Sequence, residues 1–240
     1  MAEKILGTLV ENTPEGCTPV VDTWIITHPH WDHVASVIDF GRKYLDRATV
    51  RNILANITPY DNLRPWDKMR AYNTEFYAKR YDELRSVYKG SAIWKVHTGQ
   101  RFDIADVRLE ILSCHEDVPI PMSVNDTSLV TIVYVNGKKI FFPADIEGEI
   151  PCALLHDAYG SYLKSDYYQA AHHGWGTEAL RFYDDVDAPV VLWPLKKDNW
   201  ERLQKFPATQ RMVRDIEEKA REFLITIDDD HILEIGGKLS

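Results

Sequence analysis

Three imidazoles and a carboxylate stand within six residues at His28-Pro29-His30-Trp31-Asp32-His33, directly behind the apolar run Thr23-Trp24-Ile25-Ile26-Thr27. Such a segment has to end a buried extended stretch in a turn that carries chemistry, because packing does not explain four ligating groups at this density. Neutral imidazole nitrogen with carboxylate oxygen is the donor set that suits zinc, manganese or iron. In an extended or turning segment His28 and His30 project on the same side and can share one ion. Asp32 and His33 open a helix, point differently, and can hold a second ion nearby.

The remaining pattern alternates strands and helices, which predicts an α/β class. Lys4–Glu11 reads as a helix, Thr23–Thr27 as a strand, Asp32–Leu45 as a helix on Val34, Val37, Ile38 and Tyr44, and Val50–Leu54 as a strand. Residues 65–89 read as one long helix or two. Their aromatic stripe (Trp66, Met69, Tyr72, Phe76, Tyr77 and Tyr81) is read first as a packing face, with a substrate-lining lid as the alternative. Ala92–Val96, Val107–Leu112 and Ser128–Val135 read as strands, and Asn136-Gly137 as a hairpin turn into Lys139–Phe142. Tyr167–Ala171 and Pro189–Trp193 are strands, and Thr209–Phe223 is an amphipathic helix on Met212, Ile216 and Ala220. A last hairpin pairs residues 224–227 with 232–235 across Asp228-Asp229-Asp230. No linker stands out, so residues 1–240 are expected to form a single domain.

Composition removes several function classes. No stretch approaches the ~20 apolar residues that span a bilayer, and Met-Ala-Glu-Lys-Ile-Leu-Gly has no basic head before an apolar run, so a cytoplasmic protein is expected. Cys17, Cys114 and Cys152 are too few and too scattered for a disulfide framework or a thiolate zinc site. A net charge of −9 argues against a general nucleic-acid coat. Bound cations would add local positive charge, so an anionic substrate remains compatible.

One short segment cannot close two coordination spheres, so further donors are sought at other strand ends. Asp145 follows Lys139-Ile140-Phe141-Phe142-Pro143-Ala144 and could bridge two ions; its plainer reading is the N-cap of a helix starting near Ile146. His172-His173-Gly174 follows Tyr168-Gln169-Ala170-Ala171 in the same way. His97, His156 and His231 lie outside any ligand spacing and read as surface or core-edge residues.

With these pieces in place, His-x-His-x-Asp-His after a Thr at a strand end resembles the signature of the metallo-β-lactamase superfamily. Asn125-Asp126-Thr127-Ser128-Leu129-Val130, Phe141-Phe142-Pro143-Ala144-Asp145 and Ala171-His172-His173-Gly174 resemble the branch containing the hydrolase domain of the competence DNA-uptake channel protein. The resemblance spans roughly Lys4 to the C-terminus. It implies a four-layer αββα sandwich with His28 and His30 on one ion, Asp32 and His33 on the other, and Asp145 bridging. His172 would be the last ligand and His173 a substrate-facing group. His115 is the candidate for a further ligand, with Asn125 as its replacement or supplement.

The chain departs from the family at Val34-Ala35-Ser36, where relatives carry Gly-Gly, and at Trp175, where this branch often has Ser. The family's opening strands should precede the helix at Lys4–Glu11. The first sheet is therefore expected to lack strands, through truncation or because a second chain supplies them, and residues 60–90 are expected to be a helical insertion.

What the resemblance implies for chemistry is hydrolysis by a bridging hydroxide on two divalent ions, zinc first, with manganese or iron as alternatives. Asp32 would orient the nucleophile and shuttle its proton, and His173 would donate to the oxyanion or leaving group. The leading substrate is a small-molecule or nucleic-acid phosphodiester. A lactone, thioester or other carboxylic ester is the second reading, and a catalytically inactive metal-binding or interaction remnant is the reading of another class. Oxygen reduction at a di-iron site ranks lower, because that group typically carries Glu where His30 stands.

Overall fold

The computed structural model describes residues 1–70, 74–226, 233 and 235, with side chains from 69–78 and 177–181 outside the description. The chain divides into two compact units, Met1–His97 with Pro119–Thr127, and Thr98–Val118 with Ser128–Ser240. Among the described residues no helix is long and apolar enough to cross a membrane.

The first unit runs α1 (Ala2–Glu11), β1 (Val20–Ile26), α2 (Trp31–Tyr44), β2 (Thr49–Ala55), α3 (Pro65–Arg70), α4 (Thr74–Val87) and β3 (Ala92–Lys95). Its strands form a parallel sheet in the order β1-β2-β3. Helix α2 crosses from β1 to β2, and α3 with α4 cross from β2 to β3. Val34, Val37 and Ile38 recur at helical spacing on α2 and are buried with Leu6 of α1, Leu84 of α4 and Ile26, Val50 and Ile53 of the sheet. Burying each such side chain contributes roughly 1.5–3 kcal/mol. Helix α2 approaches the end of α4 so closely that a Cβ on Gly41 would stand 2.3 Å from a Val87 methyl and 2.7 Å from the Tyr88 ring. Tyr88 closes that contact by donating its hydroxyl to the Val37 carbonyl at 2.5 Å.

The second unit runs β4 (Arg101–Ile104), β5 (Val107–Ser113), β6 (Val130–Val135), β7 (Lys138–Phe142), α5 (Glu149–Tyr159), β8 (Tyr167–Gln169), α6 (Thr177–Val186), β9 (Val190–Trp193), α7 (Lys197–Leu203), α8 (Pro207–Lys219) and β10 (Glu222–Ile225). Its sheet has the order β10-β9-β8-β7-β6-β5-β4. Strands β4 to β7 form an antiparallel meander, with the expected turn at Asn136-Gly137 between β6 and β7. From β7 to β10 the pairing is parallel. One core gathers Phe141, Tyr168, Val191 and Trp193 from the sheet with Leu155 of α5, Phe182 of α6 and Val213 and Ile216 of α8.

Several expected boundaries shift, each for a local reason. The strand expected over 167–171 ends at Gln169, because Ala171–Gly174 folds into a tight turn. The helix expected over 209–223 stops at Lys219, and Phe223 belongs to β10, paired in parallel with β9. β4 was not foreseen: it is a four-residue edge strand whose two polar side chains give no apolar run. In the aromatic stripe Tyr81 packs against the first unit's core while Trp66 is exposed. Tyr72 lies outside the described residues, as do the side chains of Met69, Phe76 and Tyr77. Asp228-Asp229-Asp230, His231 and the expected turn of the final hairpin also lie outside them.

Candidate functional site

Parallel strands put the loops at their carboxyl ends on one edge, which is where α/β proteins place ligands. In the first unit the loop after β1 carries the histidine cluster. His28 is fully buried, and its Nδ1 lies 3.1 Å from the Thr27 hydroxyl. His28 Nε2 and His30 Nδ1 converge to 3.0 Å, with the rings edge to face. Two nitrogens on one tetrahedral zinc stand about 3.3 Å apart, so this pair is spaced as shared ligands. The His33 ring centroid lies 4.2 Å from that of His28. His30 caps α2 in an extended conformation, so Asp32 and His33 fall in its first turn. There the Asp32 carboxylate complements the helix dipole, lies 3.9 Å from His33 Nε2, and is 68% exposed, open to a substrate. The loop is held from α4: buried Arg80 donates to the Pro29 carbonyl at 2.9 Å and lies 4.7 Å above the Trp31 ring.

In the second unit the carboxyl ends of β7, β8 and β9 are adjacent, and each delivers part of a second donor group. Asp145 follows β7 and is buried; its backbone N–H donates to the Ser128 hydroxyl at 3.2 Å. It does not cap α5, whose N-cap is Gly148. His172 and His173 follow β8, both in the left-handed region at φ 44° and 52°. Two successive non-glycine residues there are strained, a feature that gathers at functional sites. Both side chains face Asp145. His172 Nδ1 meets a Glu147 carboxylate oxygen at 2.7 Å, and its Nε2 lies 4.0 Å from Asp145. His173 Nδ1 donates to the Pro194 carbonyl at 2.8 Å, and its Nε2 lies 3.6 Å from Asp145. The His173 ring thus has one nitrogen tied back by a hydrogen bond, and both rings turn Nε2 to the same Asp145 carboxylate.

The two further ligand candidates fall in different units, both buried: His115 in a short turn of the second and Asn125 in a short turn of the first. His156 is on the surface, as expected, and pairs with Asp185 at 2.9 Å. Sequence reading missed Glu147, Arg80 and the Pro194 carbonyl. Glu147 left a trace as a second acid two residues beyond Asp145, whereas a backbone carbonyl leaves none.

No protein-family model matches this chain, and no curated protein matches it. Solved structures do. The diiron β-hydroxylase CmlA from Streptomyces venezuelae aligns at TM-score 0.51 and 13% identity, over 88% of this chain and 45% of CmlA. A mutant form of the CmlA β-hydroxylase aligns at TM-score 0.50 and 12% identity, over 89% of this chain and 44% of its own. The likeness is one of fold. The metallo-β-lactamase fold protein YhfI from Bacillus subtilis aligns at TM-score 0.46 and 13% identity, over 88% of this chain and 77% of YhfI. This chain therefore spans less than half of the CmlA chains it matches. The α/β class expected from the sequence is the one observed.

Proposed function

We propose that this chain is a metal-dependent hydrolase in which His28, His30, Asp32, His33, Asp145 and His172 are the ligands of a pair of divalent cations, zinc first, and His173 faces the substrate, to cleave a phosphodiester. The observation that carries the reading is the 3.0 Å convergence of His28 Nε2 with His30 Nδ1 at the end of a parallel strand. Imidazole and carboxylate donors, candidate ligands by type and burial, fit such cations. A cation pair supplies Lewis acidity and makes water acidic enough to ionise near neutral pH. Asp32, exposed on the first turn of α2, orients the attacking water and holds its proton on a carboxylate oxygen. His173, anchored by Pro194, keeps its ring plane fixed and, when protonated at Nε2, donates to the leaving oxygen. The phosphodiester preference rests on the resemblance of the segments around Asn125, Asp145 and His172-His173-Gly174 to the competence-channel branch.

A second reading is oxygen activation at two iron ions, favoured by the fold likeness to the diiron hydroxylase CmlA. Elemental analysis of the wild type and His30→Ala, with assays on bis(p-nitrophenyl) phosphate, a lactone and a thioester, tests the proposal. Metal lost with His30, and phosphodiester turnover lost with it, is the expected result. Turnover of only the lactone or thioester would move the substrate class. Iron content with reductant-dependent oxygen uptake and no hydrolysis would favour the second reading.

A further inference from the structure

We propose that Arg202 and Phe206 form a docking shelf for a single strand of nucleic acid beside the His172-His173 turn, the guanidinium holding a backbone phosphate and the phenyl ring a base. The shelf rests on the phosphodiester reading only in making that strand the substrate. Trp175 follows Gly174 directly and is tied to the turn by its N–H, which donates to the His172 carbonyl at 2.7 Å. Its ring is half-buried against the second unit's core. The Arg202 guanidinium lies over that ring, 5.2 Å from its centroid, and Phe206 meets it edge to face at 6.4 Å. Helix α7, which carries Arg202, starts at Lys197, just past the Pro194 carbonyl that holds His173.

Among the described residues Arg202 forms no ion pair. A guanidinium stacked on an indole is held at a fixed angle while its hydrogen-bonding edge stays unused, so its donors remain available for a bidentate bond to phosphate. Phe206 is 54% exposed, so packing against the core does not account for it. A planar base laid on such a ring removes apolar surface from water on both partners. Charge agrees. Residues 196–205 carry four basic and two acidic side chains in a chain whose net charge is −9. Lys196 and Lys205 are exposed and, among the described residues, likewise form no ion pair. Cations without carboxylate partners beside an exposed ring match phosphates beside a base. An anionic membrane fits less well: among the described residues Phe206 is the one large apolar side chain exposed on α7, α8 and their junction, too little for insertion into lipid.

Fluorescence anisotropy of a labelled oligodeoxythymidylate tests the shelf without relying on turnover, using the full chain with chelator present to prevent cleavage of the probe. The wild type is expected to bind, with affinity falling as salt rises. Arg202→Gln should weaken binding about 10-fold and flatten the slope of log affinity against log salt by about 0.7, the share of one phosphate contact on a single strand. Phe206→Ala should also weaken binding about 10-fold but leave the slope unchanged, since stacking releases no counterions. Both side chains are exposed, so both variants are expected to keep the wild-type thermal midpoint. A wild type that binds no oligonucleotide at low salt overturns the proposal, as does either variant binding as tightly as wild type. An unchanged slope in Arg202→Gln would remove the phosphate contact and the proposal with it. Binding to phosphatidylglycerol vesicles in place of the oligonucleotide would overturn it in favour of a membrane surface. Oligonucleotide binding that depends on both residues, in a chain whose metal-loaded form hydrolyses no phosphodiester, would uphold the shelf and sink the phosphodiester reading.

Discussion

Single residues carry most of the chemistry, and their substitution separates ligands from supports. His30→Ala removes one of two nitrogens that lie 3.0 Å apart, so it is expected to lower bound metal and to reduce phosphodiester turnover by at least ~100-fold. Metal analysis beside steady-state kinetics reads both effects; full metal content would refute the assignment. Gly174 is a different case. At φ +84°, a Cβ there would stand 2.0 Å from the buried Trp193 ring. Gly174→Ala is therefore predicted to destabilise the fold by about 3 kcal/mol, overpacking added to backbone strain. Urea unfolding measures it, and a loss below ~1 kcal/mol would mean that the turn relaxes easily.

At the scale of elements, the interest lies in how helices hold the loops. Arg80 on α4 reaches the Pro29 carbonyl inside the histidine loop, a hydrogen bond from a buried charged donor. Arg80→Ala should cost about 1.5–3 kcal/mol in thermal or urea unfolding and weaken metal binding without removing a ligand. Metal affinity equal to wild type would show that the loop keeps its shape unaided. On the other unit, His156 of α5 meets Asp185 of α6, and the Asp185 carboxylate raises the His156 pKa above its ordinary value. A raised histidine stabilises below the unfolded value, and the benefit disappears as pH rises through the folded value. The His156 NMR titration should therefore move downward in Asp185→Asn; an unmoved midpoint would disprove the coupling. Because the pair is exposed, its effect on overall stability should be small and screened by salt.

For the whole molecule, metal binding and stability are linked. Ligands that bind the folded chain alone raise its stability by about 2.7 kcal/mol at a hundred times Kd. Zinc is expected to raise the thermal midpoint of the chelator-treated protein, and a midpoint indifferent to zinc, manganese and iron would count against any metal centre. What could be read directly from the residues was local. The donor cluster at His28–His33, the apolar periodicity of α2, and the Asn136-Gly137 turn each depend on neighbours within a few positions, so their signals survive without a fold. Asp145 and His172-His173 were legible as polar ends of apolar runs, though not their orientation.

That orientation was decided by tertiary structure. β7, β8 and β9 lie side by side in parallel, which brings Ala144–Glu147, His172-His173 and Pro194 to one sheet edge from positions up to 50 residues apart. No sequence rule pairs Glu147 with His172 or the Pro194 carbonyl with His173, because both contacts arise only after non-local strand pairing. Donor identity is a property of side chains and is written in the residues. Which nitrogen faces the centre is a property of neighbours, and only the folded chain chooses them.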